Sequence, residues 1–188
     1  MATIVIEWEF DCPGSAGGVR RLMEATEDAT ASNAVIALRH YLSADGRRLI
    51  AMFDAPGAEA VRRATGVIDA GRPRRIWAAT PHFSQGSGVT PPRGRRSLVV
   101  VERSFGVPTP FERVLPSKEI MRLCFELRGV THVASYVAED QMRILCVDEA
   151  PDAESVRVAN RHAGMQFDAV WHASDAMEYG PCTLAAVG

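Results

Sequence analysis

The chain matches itself. Displaced by 95 positions, its first part lies over its second without a gap, carrying Glu7 onto Glu102, Phe10 onto Phe105, Pro13 onto Pro108, Tyr41 onto Tyr136, Asp45 onto Asp140 and Arg48 onto Arg143. From Tyr41 to Ala64, 10 of 24 positions are identical to Tyr136 to Ala159, where unrelated segments would share about two. Such a repeat means that whatever the first half forms, the second must form too. At 188 residues, each half is long enough to bury a core of its own. The division that follows is a first repeat over 1–79, a linker over 80–96, a second repeat over 97–173 and a tail over 174–188. The linker, TPHFSQGSGVTPPRGRR, is marked by its Gly, Pro and Ser.

Each half reads as β-α-β-β-α-β. Ile4 to Phe10 and Ser97 to Phe105 are β-rich runs that end at turn residues. Helical stretches follow over Ala16 to Ser32 and Ser117 to Arg128. In the second, Ile120, Leu123, Cys124 and Leu127 form an apolar stripe, Ser117 is a fitting N-cap and Gly129 a fitting stop. Two strands then meet at a tight turn, Val35 to Ser43 with Leu49 to Asp54, and Val130 to Ala138 with Arg143 to Asp148. Ala-Asp-Gly-Arg suits the first turn better than Glu-Asp-Gln-Met suits the second. A helix after each Ala-Pro and a strand at Arg75 to Ala79 or Ala169 to Ala173 complete the split βαβ order. The fold class is therefore α+β, two ferredoxin-like halves, packed either open face to open face as an intramolecular pseudo-dimeric α+β barrel or along their edges.

Two helices cover one face of such a sheet, and period-2 alternation identifies the other. On the first strands, Val5, Glu7 and Glu9 and their counterparts Val100, Glu102 and Ser104 are expected on the open face, with Trp8 on the helix side. On the second strands the same count gives Ala37, Arg39 and Tyr41, and His132, Ala134 and Tyr136. On the third strand of the second half, Ile144, Cys146 and Asp148 are assigned to the open face. Glu102 or His132 can then act as general base, and Tyr136 or Tyr41 as donor to a developing oxyanion. Glu7 is the pseudo-equivalent carboxylate. Arg39, Cys146, Trp171, and Trp8 if it turns inward, are candidate substrate contacts. Each residue also has a plain reading: a Glu paired with Arg39 or Arg103, a satisfied histidine, packed tyrosines and a small core cysteine. The halves differ, because the second has His132 and Cys146 where the first has Ala37 and Ala51, so one site per chain is expected.

The segment SYVAEDQMRILCVDEAPDAESVRVANRHAGMQFDAVWHA, Ser135 to Ala173, preceded by VVVERSF, Val99 to Phe105, resembles a family of small ferredoxin-like domains of mostly unknown function that includes a nickel-binding protein. In the first half, YLSADGRRLIAMFDAPGAEAVRRA, Tyr41 to Ala64, is similar to the same pattern. The resemblance implies a two-chain assembly of such units, which makes this chain look like a fused dimer of the α+β barrel type. It also implies nickel binding, which calls for imidazole and carboxylate ligands. Metal-binding members look His-rich in the first strand and just after the Ala-Gly turn. This chain has Glu102-Arg103 and Met165-Gln166 there, leaving Glu102, His132, Cys146 and His162 as the alternative ligands for Ni2+ or Zn2+.

Charge and cysteine usage narrow the rest. Twenty Arg and the single Lys118 are interspersed with 23 acids for a net charge of −2, so neither a nucleic-acid groove nor a membrane surface is the expected partner. An N-terminus with Glu7 and Glu9 does not read as a signal peptide, and the four cysteines lack C-x-x-C spacing; a cytoplasmic protein with free thiols is expected. There is no Walker, G-x-G-x-x-G, H-E-x-x-H or G-x-S-x-G motif. Three functions compete. The favoured one is a small-molecule-binding protein acting as a cofactor-free enzyme of the cyclase, isomerase or monooxygenase type, with acid–base groups in a cavity between the halves. The alternatives are a divalent-metal binder and a non-catalytic ligand-binding or assembly module, in each case a monomeric pseudo-dimer or a homodimer.

Overall fold

The computed structural model describes residues 1–10, 34–65, 73–83 and 97–175. The helix expected over Ala16 to Ser32, residues 84–96 of the linker and the tail beyond 175 lie outside them. The described strands are β1 (Ala2–Glu9), β2 (Ile36–Ser43), β3 (Arg48–Ala55), β4 (Arg75–Phe83), β5 (Ser97–Ser104), β6 (Thr131–Ala138), β7 (Arg143–Ala150) and β8 (Ala169–Asp175). The described helices are α1 (Ala58–Thr65), the single turn α2 (Phe111–Val114), α3, which begins at Lys118–Ile120, and α4 (Ala153–His162). None is long and apolar enough to cross a membrane.

The chain forms two compact units, one built on Met1–Ala79 and taking in the chain from Ser174, the other comprising Thr80–Ala173. In the first, β1 pairs antiparallel with β3 and β4, and β2 with β3, giving the order β4-β1-β3-β2. In the second the corresponding order is β8-β5-β7-β6. The registers repeat as well. Ala2 faces Ala55 and Glu9 faces Arg48, while Ser97 faces Ala150 and Ser104 faces Arg143, an offset of 95 at both ends of the central pair. Even an irregularity is shared: the β2–β3 ladder skips Leu38 and the β6–β7 ladder skips Val133. Each is a β-bulge, one surplus residue on a strand.

Two strands outrun their expected ends. β4 continues to Phe83 through the first four residues of the expected linker, and within the second unit His82 stacks on Phe111 with centroids 4.4 Å apart while Phe83 meets Tyr136 edge-on. β8 runs to Asp175, and Ser174 Oγ donates to the Leu42 carbonyl at 3.2 Å.

Each sheet has one face in a buried core that includes helix residues. Ile4, Ile6, Trp8, Leu49, Phe53 and Val61 join one buried cluster; Val99, Val101, Phe125, Ile144, Cys146 and Val156 join the other. Burial of each large aliphatic or aromatic side chain contributes roughly 1.5–3 kcal/mol, and this is the main force holding helix to sheet. α4 starts where Asp152 accepts from the Ser155 N–H at 2.7 Å, and α3 where Ser117 accepts from the Ile120 N–H.

The expected stripe on α3 is displaced. After one α-turn the backbone widens into a π-turn over Met121–Phe125 and tightens into a 3-10 turn over Glu126–Arg128, ending at Gly129 in the left-handed region. A π-turn holds more residues than the α-period assumes, so side chains beyond it fall out of phase. Met121, Cys124 and Phe125 pack on the core, whereas Ile120, Leu123 and Leu127 are exposed, Leu127 to 70%.

The two tight turns share one conformation on different residues. Gly46 has φ 67° and Gln141, its counterpart, φ 56°. In the first turn Asp45 accepts from Ser43 Oγ and the Arg47 N–H; in the second Asp140 accepts from the Met142 N–H. A residue with a Cβ is strained in that region, so Gln141→Gly is expected to raise the unfolding free energy by about 1 kcal/mol, measured by urea denaturation.

Candidate functional site

Residues directly opposite one another on antiparallel strands share a face, so the registers place every candidate. Glu102 faces Leu145 and Ala169, Tyr136 faces Leu145, and Trp171 faces Val100. Glu102, Tyr136 and Trp171 therefore lie together on the face turned away from α4. Trp171 Nε1–H donates to Glu102 Oε1 at 2.6 Å. The first unit repeats this contact: Trp77 Nε1–H donates to Glu7 Oε1 at 2.7 Å, with Tyr41 and Arg39 on the same face. Trp77 is a contact that strand alternation from β1 alone did not bring out. Its signal was the repeat, because Trp77 and Trp171 follow their own β1 and β5 partners at nearly equal distances in the chain.

The two carboxylates are not equivalent. Arg75 stands opposite Glu7 across the ladder and reaches Oε2 at 3.3 Å, and Glu7 is 8% exposed. Ala169 takes the place of Arg75 opposite Glu102, which is half-buried. Both accept from an indole N–H, which orients the carboxylate. The apolar surroundings on this side are buried too: Val5 and Met52 around Glu7, Val100 and Val147 around Glu102.

Three expectations are corrected. His132 does not join Glu102. The bulge at Val133 adds one residue, so His132 pairs with Asp148 on the helix-covered side, while Ala134 and Tyr136 keep the other. The bulge at Leu38 moves Ala37 in the same way. Cys146 pairs with Val101 and packs in the helix-side core, and Ile144 and Asp148 go with it; the third strand is apolar on both faces, so alternation had no phase to read there. Trp8 stays in the helix-side core.

On that helix side the second unit carries a chain of polar contacts. Asp148 Oδ1 lies 2.9 Å from His132 Nδ1, His132 Nε2 lies 3.1 Å from Ser135 Oγ, and Ser135 Oγ lies 3.3 Å from Cys146 Sγ. The first unit has Phe53, Ala37, His40 and Ala51 at these positions. The order of carboxylate, imidazole and hydroxyl matches that of a nucleophilic triad. However, Ser135 is buried between His132 and Cys146 on the face that the helices cover, so the packed helix layer closes the hydroxyl to a substrate. Burial pushes the Cys146 thiol up and Asp148 adds to this, against the pull of Arg103.

The expected metal ligands are not assembled. Glu102 lies across the sheet from His132 and Cys146, and His162 Nδ1 lies 2.7 Å from Arg128 Nη2 on the surface. Among the described residues no three His, Cys, Asp or Glu side chains converge as a metal site. The donor set of the described residues does not fit a nickel or zinc ion.

Residues 116–172 match the family described as nickel responsive proteins like SCO4226. No curated protein matches the chain. Among solved structures it is similar to a variant of chlorite dismutase from Candidatus Nitrospira defluvii, with a TM-score of 0.50 and 12% identity over 92% of this chain and 90% of that one. An anthrone oxidase-like protein aligns with a TM-score of 0.44 and 10% identity over 92% and 90%. The chain thus has an α+β fold like that of the chlorite dismutase.

Native alkylation with iodoacetamide, read by peptide mass mapping, is expected to leave Cys146 unmodified. The same reagent modifies it fully in denaturant.

Proposed function

We propose that the chain is a fused pair of ferredoxin-like halves that binds a small, partly apolar molecule on the helix-free sheet face of its second half and acts on it without an organic cofactor. The observation that carries this reading is the Glu102–Trp171 pair. A carboxylate held by an indole N–H at 2.6 Å, with Ala169 where the first half has Arg75, is oriented and stands in apolar surroundings. Those are the requirements of a general base. Glu102 takes the proton, Tyr136 on the same face donates to the oxyanion that forms, and Trp171 is both orienting donor and apolar wall. Proton abstraction of this kind belongs to the cyclase, isomerase and cofactor-free monooxygenase types. Glu7, with Arg75 across its ladder, is the counterpart of Glu102 in the first half. The repeated registers and the similarity to the α+β fold of chlorite dismutase support the fused-pair reading.

Displacement of 1-anilinonaphthalene-8-sulfonate by a panel of small aromatic molecules identifies ligands, whose turnover is then followed. Glu102→Gln is expected to reduce turnover by about 100-fold with ligand affinity nearly unchanged, and Tyr136→Phe to lower it less. Undiminished turnover in Glu102→Gln rules the reading out.

The match of residues 116–172 to a nickel responsive family favours a second reading, a divalent-metal binder. The described side chains do not supply its ligands, so equilibrium dialysis against nickel is expected to show no stoichiometric uptake. Uptake at one ion per chain, lost in His132→Ala, would put the second reading in place of the first.

A further inference from the structure

Arg103 is a buried cation that no described carboxylate pairs with. It is 3% exposed. Its Nη1 donates to the Gln166 carbonyl and its Nη2 to Asn160 Oδ1 at 2.5 Å, both neutral acceptors, and its Nε–H has no partner. Among the described residues no carboxylate forms an ion pair with it. A guanidinium has five N–H groups; beyond those two bonds and an interaction with the Cys146 thiol, the Nε–H is left over. The carbonyl end of α4 offsets part of the charge, roughly half of one unit, and the rest is uncompensated in a desolvated setting. The fold does not require this residue, because Trp8 fills the equivalent position in the first half.

Arg103 lines a cleft of about 450 Å³ beside the turn that follows α4. The other walls supply what an organic anion would use. Arg161 stands at the rim, 61% exposed, with its guanidinium carbon 6.0 Å from the centroid of the Phe167 ring. Met165 and Phe167 give an apolar surface, and Asp168 is the acidic residue in the lining. Glu102 and Arg103 are neighbours on β5 and project to opposite faces, so this cleft is separate from the proposed Glu102 site and does not rest on it.

We propose that the cleft binds a small organic acid, its carboxylate meeting Arg103 and Arg161 and its apolar part lying on Met165 and Phe167. Guanidinium groups match carboxylates in geometry and charge. Arg161 is shared with Glu154 at 3.6 Å on the exposed side, so the buried Arg103 is the charge that favours an anion, and the apolar walls favour an organic acid over a bare inorganic one.

The test is calorimetric titration of the full chain with benzoate and with inorganic phosphate at constant ionic strength. Benzoate is expected to bind at one site per chain, more tightly than phosphate. Arg161→Gln should weaken it by about tenfold, and Asp168→Asn should strengthen it by about threefold, since removing a nearby like charge favours the anion. Both positions are exposed, so these variants keep the fold. Arg103→Gln should abolish binding, and its urea midpoint, measured alongside, separates loss of the site from loss of the unit. The proposal is overturned by absence of saturable benzoate binding, by phosphate binding as tightly, or by benzoate affinity that Arg161→Gln and Asp168→Asn leave unchanged.

Discussion

The antiparallel pairing of β5 with β7, and of β1 with β3, is the constraint on which the rest of the molecule depends. Once Ser97 faces Ala150 and Ser104 faces Arg143, every side chain of the central strands has its face decided. The helices then have a fixed surface to cover, Val99, Val101, Ile144 and Cys146, and Glu102 has to lie on the reverse. Because the pairing is repeated at the same offset in the first unit, the Glu–Trp contact is repeated with it. The outer strand of each unit joins this frame through a bulge, and the bulge decides which layer His132 serves.

Much of this was legible in the sequence. The positions of the described strands along the chain followed from β-rich runs and turn signals, and the sides taken by Glu7, Glu102, Tyr41 and Tyr136 from alternation, because their strands have apolar residues on one side and mixed ones on the other. The caps at Ser117 and Gly129 were legible because capping is local chemistry. What could not be read was anything that depends on counting through an irregularity. His132 is two residues from Ala134, so a regular strand puts them on one face, but the surplus Val133 separates them. Leu123 and Leu127 stand at helical spacing from Ile120, yet the π-turn takes them out of the core. Cys146 failed for a different reason, since a strand apolar on both faces carries no phase.

The second unit differs from the first in polarity more than in shape. Where the first unit has Phe53, Ala37 and Ala51 against its helix, the second has Asp148, His132 and Cys146 linked through Ser135; where the first has Trp8, the second has Arg103 bound to Asn160. Burying such groups is unfavourable unless each finds a partner, and the partners are drawn from β6, β7 and α4. These contacts bind the layers of the second unit to one another in a way that apolar contacts, tolerant of sliding, do not.

The bulges have a consequence for how such a strand can change length. The registers step over Val133 and Leu38, and the flanking pairs, His132 with Asp148 and Ala134 with Val147 in one case, are already in regular sequence around them. Loss of the surplus residue would close the kink and leave every other pair in place. Loss of a residue elsewhere in β6 would exchange the two faces over the remainder of the strand. Sequences related to this one can therefore gain or lose a residue at that point without disturbing either layer, and an alignment gap there would mark a straightened strand and not a broken one.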